Sequence, residues 1–144
     1  MTTQTSETPP QLYARMGGLF YLMIIVFGAL GQIFIRGALI VPGDAAATAS
    51  HIMASQSLWR FGIFGDIMMH IFDLPVMLAF YILLKPVNKK LVLLGILFNV
   101  IQTAVLVANK TNLVMPLLVL KNGDAVRAFE FIELHDYGFG IASV

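Results

Sequence analysis

Apolar residues run from Met16 to Ile35 with no charge and a single amide, Gln32, before Arg36 ends the stretch. At 1.5 Å per residue such a run crosses an apolar layer of about 30 Å. A second run extends from about Leu58 to Leu84, framed by Trp59 and Arg60 at one end and by Tyr81 and Lys85 at the other. Amphipathic rings and long cations belong at the two edges of a lipid layer. After the basic turn Lys85-Pro86-Val87-Asn88-Lys89-Lys90, a third run holds from Leu91 to about Ala108 and resumes beyond Lys110 as Leu113–Leu120, with Pro116 as the expected kink. The pattern predicts helices over 12–37, 58–85 and 89–120.

The intervening segments have their own signals. Pro42-Gly43 makes a turn, and Asp44 is placed to cap a short helix over 45–55. Ala49, Ile52 and Met53 on that helix suit a position at the membrane interface, and Ser57 is placed to cap the helix that follows. Asn122-Gly123-Asp124 is a turn and a helix start; residues 125–136 then read as an amphipathic approach before 137–144 turns apolar. Residues 1–11 are polar, with adjacent Pro9 and Pro10, and read as a disordered tail ahead of one transmembrane domain over 12–144. The expected fold is all-α: a helical integral membrane bundle with three full spans and the start of a fourth in 124–144. Eight apolar residues fall short of the about twenty a span needs, so the chain is expected to continue past Val144. The alternative is a tail lying flat on the outer surface.

Composition strengthens the membrane reading. Hydrophobic residues make up 58% and charged residues 12% of the chain, against roughly 25% charged in an average soluble domain. Too few charges remain to build a solvated shell, so lipid must be the solvent for most of the surface. A cleaved leader is the competing reading of the first run. That run is too long for one, Arg15 is the only cation ahead of it, and the Ala45-Ala46-Ala47 cluster lies too far downstream. A formal net charge of +1 argues against nucleic acid as a partner, and the absence of cysteine removes disulfides, thiolate catalysis and Cys-bound metal. Three lysines in the 85–90 turn place that turn and the N-terminus on the cytoplasmic side of the plasma membrane.

Polar residues inside the apolar runs are the candidate chemistry. Asp66, His70 and Asp73 fall within about a 60° arc of the second helix, with Gly62 and Met77 continuing the stripe. Asn99, Gln102, Thr103, Asn109 and Lys110 fall within about 120° on the third. Folding the two helices antiparallel about Val87 matches Asp66 to Lys110 or Asn109, and Asp73 to Gln102. The candidate intramembrane polar face is therefore Asp66, His70, Asp73, Asn99, Gln102, Asn109 and Lys110. Asp66 with Lys110 reads either as a pair marking the membrane edge or as part of this face. His70 reads as a structural hydrogen bonder, a proton carrier, or a ligand lacking a second histidine at its depth, because His51 and His135 fall in or near outer loops. Asp73 sits near mid-span, where a carboxylate costs about 3 kcal/mol. Pro75 beside it leaves the Ile71 carbonyl unbonded. Packing against Gln102 and proton transfer both fit this acid. On the first helix, Gly17, Gly28 and Gly31 share a side with Tyr21 and Gln32 and mark close packing against another span.

The run from Arg36 to Ala49, the later Leu83-Leu84-Lys85-Pro86-Val87-Asn88-Lys89, Ala14-Arg15, Arg60-Phe61-Gly62 with Asp66, and Leu134-His135-Asp136-Tyr137-Gly138 together resemble domain-of-unknown-function family 4386. The likeness extends over nearly the whole chain from Tyr13. It implies an uncharacterised, mostly bacterial multi-pass helical bundle with further spans, and it supplies no activity, substrate, cofactor or site residue. No nucleotide loop, nucleophile elbow or HExxH pattern is present. The residues favour a structural, interaction or sensor membrane protein whose partners are the bilayer and other membrane subunits or further copies. The alternative is a small proton-coupled transporter using the Asp66, His70 and Asp73 face. An intramembrane enzyme lacks a nucleophile or metal partner; no cofactor is implied, and the residues do not identify a small-molecule ligand.

Overall fold

A computed structural model describes residues 9–142, and every regular element among them is a helix. The first, α1 (Pro10–Leu39), opens with proline at a position whose N–H has no partner in any helix. Pro10 and Gln11, expected in the polar tail, thus belong to the helix; residues 1–8 of that tail lie outside the described residues. The winding of α1 is α-helical to Ala29, widens to a π-helix over Leu30–Arg36, and ends with Gly37–Leu39.

Gly43 turns the chain in the left-handed region (φ 75°) into α2 (Ala45–Ala54). Asp44 caps α2 as its side-chain chemistry dictates, accepting the Ala47 N–H at 2.9 Å. The helix that follows starts at Gln56 without a side-chain cap, so Ser57 sits inside it instead of capping it.

The helical run Gln56–Asn109 breaks at Asn88, whose backbone is extended (φ −156°, ψ 94°). It is two helices, α3 over 56–87 and α4 over 89–109. Asn88 makes the reversal twice over, by its extended backbone and by accepting the Leu91 N–H at 3.1 Å as the cap of α4. Lys110 interrupts the helix before α5 (Thr111–Val119). The break expected at Pro116 therefore falls six residues earlier, and Pro116 is buried within α5. A 3-10 turn over Leu120–Asn122, with Gly123 left-handed (φ 77°), leads into α6 (Ala125–Ala142). Asp124 caps it through the Arg127 N–H at 3.0 Å.

Packing follows the small residues. α1 lies antiparallel along α3, and its glycines meet α3 in reverse order. A Cβ on Gly17 would stand 2.9 Å from the Ala79 Cβ, on Gly28 3.2 Å from the Met69 Sδ, and on Gly31 2.8 Å from the Asp66 Oδ1. Phe20 and Phe27 close on Phe72 at ring separations of 5.9 and 5.6 Å. Away from the Asn88 turn, Ile35, Ile52, Trp59, Leu113 and Ile132 join five helices in one apolar core. Trp59, expected at a lipid–water edge, is instead 2% exposed, with its indole N–H donating to the Leu113 carbonyl at 2.8 Å. An indole buried this deeply needs a partner, and the α5 backbone supplies it. Ala49 and Ile52 likewise put α2 into this core under α6, while Met53 stays exposed. α2 is thus a packed element of the assembly.

Gly31→Ala is expected to lower stability by about 1–3 kcal/mol, because its methyl meets a carboxylate oxygen that has no room to move. Gly18→Ala, with nothing within 4 Å of its Cβ, is expected to be neutral or to gain about 0.5–1 kcal/mol. Thermal unfolding in detergent, read by helical circular dichroism, separates the two; equal melting temperatures would count against this packing.

Candidate functional site

Asp66 is the centre of the polar interior. It is 1% exposed, and its carboxylate faces two cations from different helices. The Arg36 guanidinium reaches it with Nη1 2.6 Å from Oδ2 and Nη2 3.3 Å from Oδ1, and the Lys110 Nζ lies 3.3 Å from the same Oδ2. The fork of Arg36 matches both carboxylate oxygens at once, the strongest geometry available to such a pair.

The π-winding explains how Arg36 gets there. Gly31 faces Asp66. At 100° per residue Arg36 would stand about 140° around the helix from Gly31. At the roughly 82° per residue of an i→i+5 winding it stands about 50° away, on the same side. Gln32 holds the guanidinium in place, accepting from its Nε at 2.8 Å.

Lys110 turns inward at the interruption between α4 and α5, is 4% exposed, and continues the chain of contacts to α6. Its Nζ lies 3.2 Å from the His135 Nε2, and it stands over the Phe139 ring at 5.6 Å. An ammonium group offers only donors, so His135 Nε2 must accept. Its proton is then on Nδ1, which donates to the Asp136 carboxylate at 3.2 Å. Asp136 is exposed; His135 is 1% exposed. Burial first, and the neighbouring Lys110 next, hold His135 below the usual histidine range, against the raising effect of its bond to Asp136. α6 can approach this closely because residue 138 is glycine: a Cβ there would lie 2.6 Å from the Asn109 Oδ1.

The other expected face residues are placed as follows. Asp73 is half-buried and accepts from the Thr103 hydroxyl at 3.0 Å. Gln102, one residue away, is exposed and donates to the Ala142 carbonyl at 2.7 Å. Asn109 donates to the His135 carbonyl at 2.8 Å and accepts from Asn112 at 2.9 Å. His70 is 8% exposed, and its Nε2 has no hydrogen-bond partner; nor has the buried Oδ1 of Asn99. Asp66–Lys110 and Asp73–Thr103 are both centred on residue 88, so the two stripes face each other across the hairpin. Two members of the site were not expected. Arg36 reads in sequence as a stop signal, and only its spacing of four from Gln32 hints at more. His135 reads as a loop residue, although its four-residue spacing from Phe131 and Phe139 is a helical face. Among the described residues, no group of three or more His, Asp or Glu side chains is placed to hold a metal ion.

The arrangement is an all-helical assembly knotted by one buried ion cluster that draws on α1, α3, the α4–α5 junction and α6. A family model described as "Domain of unknown function (DUF4386)" matches residues 16–144, and the chain belongs to that family. No curated protein and no solved structure matches the chain.

Asp66→Asn leaves Arg36 and Lys110 as two buried cations with no counter-charge, and is expected to cost roughly 3–5 kcal/mol. Asp136→Asn, on the exposed side of the same chain of contacts, is expected to stay within about 1 kcal/mol. Denaturant titration in mild detergent checks both, and a loss for Asp66→Asn no larger than for Asp136→Asn would contradict the arrangement.

Proposed function

We propose that this protein is a multi-pass plasma-membrane protein with α1, α3 and α4–α5 as spans, acting as a structural, interaction or sensor unit whose helices are clamped by the Asp66 ion cluster. The observation that carries the membrane reading is outward-facing apolar surface. The helical runs Pro10–Leu39 and Gln56–Asn122 are both long and apolar enough to cross a bilayer, and the second doubles back at Asn88. Within the most apolar window of each, 11% and 0% of residues are buried. The core helix of a water-soluble protein buries most of such a window, whereas a lipid-facing helix does not. Leu19, Ile33, Phe34, Leu97 and Phe98 are each more than half exposed. Lys85 folds over the Tyr81 ring at 5.8 Å beside the hairpin turn, the pairing expected of an interfacial aromatic and a snorkelling cation.

The clamp reading rests on the completeness of the cluster. Each charged group in it meets an opposite charge or a neutral acceptor, which suits a device that fixes helix positions. Lysines of the 85–90 turn support a cytoplasmic N-terminus and hairpin. Single-cysteine labelling in intact cells tests this, helped by the cysteine-free background: Lys89→Cys is expected to react only after permeabilisation and Ser50→Cys before it. Labelling of both from the same side would remove the three-span topology.

One observation favours a second reading, a small proton-coupled transporter. His70 is buried with Nε2 unbonded, between Asp66 and Asp73 on the same stripe. In proteoliposomes an imposed pH gradient would then drive proton uptake that falls at least tenfold in Asp73→Asn, since the amide keeps the Thr103 bond and loses the titration. Equal uptake by the Asn variant removes this reading.

A further inference from the structure

The chain of contacts from Asp136 to Asp66 has one imidazole, His135, whose protonation state decides a bond. His135 Nε2 accepts from Lys110, and Nδ1 donates to Asp136. A second proton has one place to go, Nε2, and that atom already faces an ammonium at 3.2 Å. Once protonated, both partners are donors and both are cations, so an attractive contact becomes a repulsive one. We propose that α6 is a proton-operated latch, in which protonation of His135 at Nε2 breaks the bond to Lys110 and releases α6 from the ion cluster.

The surroundings make the latch one-directional. Arg36 lies beyond Lys110 and adds to the repulsion, while Asp66, the nearest buried anion, is already engaged by both cations. Asp136 is exposed and keeps the resident proton on Nδ1, so the proton taken up goes to Nε2. α2 carries only exposed His51, and Lys121 beyond α5 is exposed as well, so neither element packed on α6 brings a compensating anion to the ring. α6 itself carries Arg127 and Glu130 more than one turn before His135 and Glu133 two residues before it, about 200° around the helix, and all three are exposed. What else holds α6 is short-range: Ala128 and Ile132 in the apolar core, the Asn109 bond to the His135 carbonyl next to the group that titrates, and the Gln102 bond to the Ala142 carbonyl at the helix end.

The direction of the effect follows from the environment of the ring. The docked state holds His135 below its ordinary value, so docking is complete above about pH 6.5 and weakens as pH falls from there toward the lowered value. Across that window the ratio of released to docked α6 rises about tenfold per pH unit, one proton being taken up on release.

The latch rests on the clamp reading, and the experiment separates the two. Spin labels at Ile33→Cys on α1 and Ile141→Cys on α6, both on exposed positions, report the distance between these helices in lipid nanodiscs. The labelled chain is expected to show a reversible long-distance population that grows severalfold between pH 7.5 and 5. His135→Gln, which keeps an acceptor for Lys110 but cannot titrate, is expected to hold the docked distance at both values. His70→Gln is expected to respond like the parent. A parent chain with the same distance at pH 7.5 and 5 overturns the latch, as does a His135→Gln chain that opens at pH 5. Lys110→Met at pH 7.5 tests the clamp by itself: α6 loosening in that variant while the parent ignores pH leaves the clamp and removes the latch.

Discussion

A single buried carboxylate sets the terms for the rest of this molecule. Asp66 cannot lie inside an apolar assembly as a bare charge, and one cation on one helix would not explain the local geometry around it. Arg36 comes from the far end of α1, and Lys110 from the junction of α4 and α5. Each of those approaches demands something unusual of the backbone. α1 must widen into a π-helix to swing Arg36 around, residue 31 must be glycine to let α1 lie against the carboxylate, and the fourth-to-fifth helix junction must break at Lys110 to aim its ammonium inward. Features that look like separate irregularities are thus conditions for neutralising one charge.

A buried ion cluster is weak evidence for net stability, since the desolvation of its members offsets most of their attraction. What it provides is register. In a lipid surrounding, apolar helices slide and rotate against one another at little cost, because the lipid tails are as apolar as their side chains. A fork-and-carboxylate contact between α1 and α3, with a second cation from the hairpin's other arm, permits one rotation and one depth for each helix. The glycine contacts along α1 then convert that register into close packing, and the Trp59 bond to α5 closes the same end of the bundle. α4, by contrast, has no fully buried residue over 89–109, and it is held by the Asn88 turn, by the Thr103 and Gln102 bonds to α3 and α6, and by Lys110 beyond its end.

Much of this was legible in the sequence, for a simple reason. Polar residues in apolar runs are so costly that they must find each other, and two stripes on adjacent helices allow only one antiparallel fold. The midpoint near Val87 became Asn88, and the Asp66–Lys110 pairing followed from it. The partner of Asp73 came out one residue away, as Thr103 instead of Gln102, because neighbouring residues on a helix differ by 100° and a hydroxyl pointing at the carboxylate wins over a longer amide pointing past it. Arg36 was not legible as a site residue. α-Helical winding is assumed in any face argument, and the five residues of π-winding from Gly31 to Arg36 move the side chain by about a quarter turn with no mark in the sequence. Trp59 and His135 were misplaced for a shared reason: amphipathic side chains near the ends of apolar runs read as edge residues, whereas here a short helix and a following helix fold back and cover them.

Arg36 and Asp66 act on each other, beyond each being needed by itself. A double-mutant cycle measures this directly, with Arg36→Met, Asp66→Leu and the double variant compared by unfolding in the same bilayer mimic. A coupling of about 1.5–3 kcal/mol is expected, with the double variant far less damaged than the two single losses added together. A coupling below about 0.5 kcal/mol, with the losses simply adding, would contradict it.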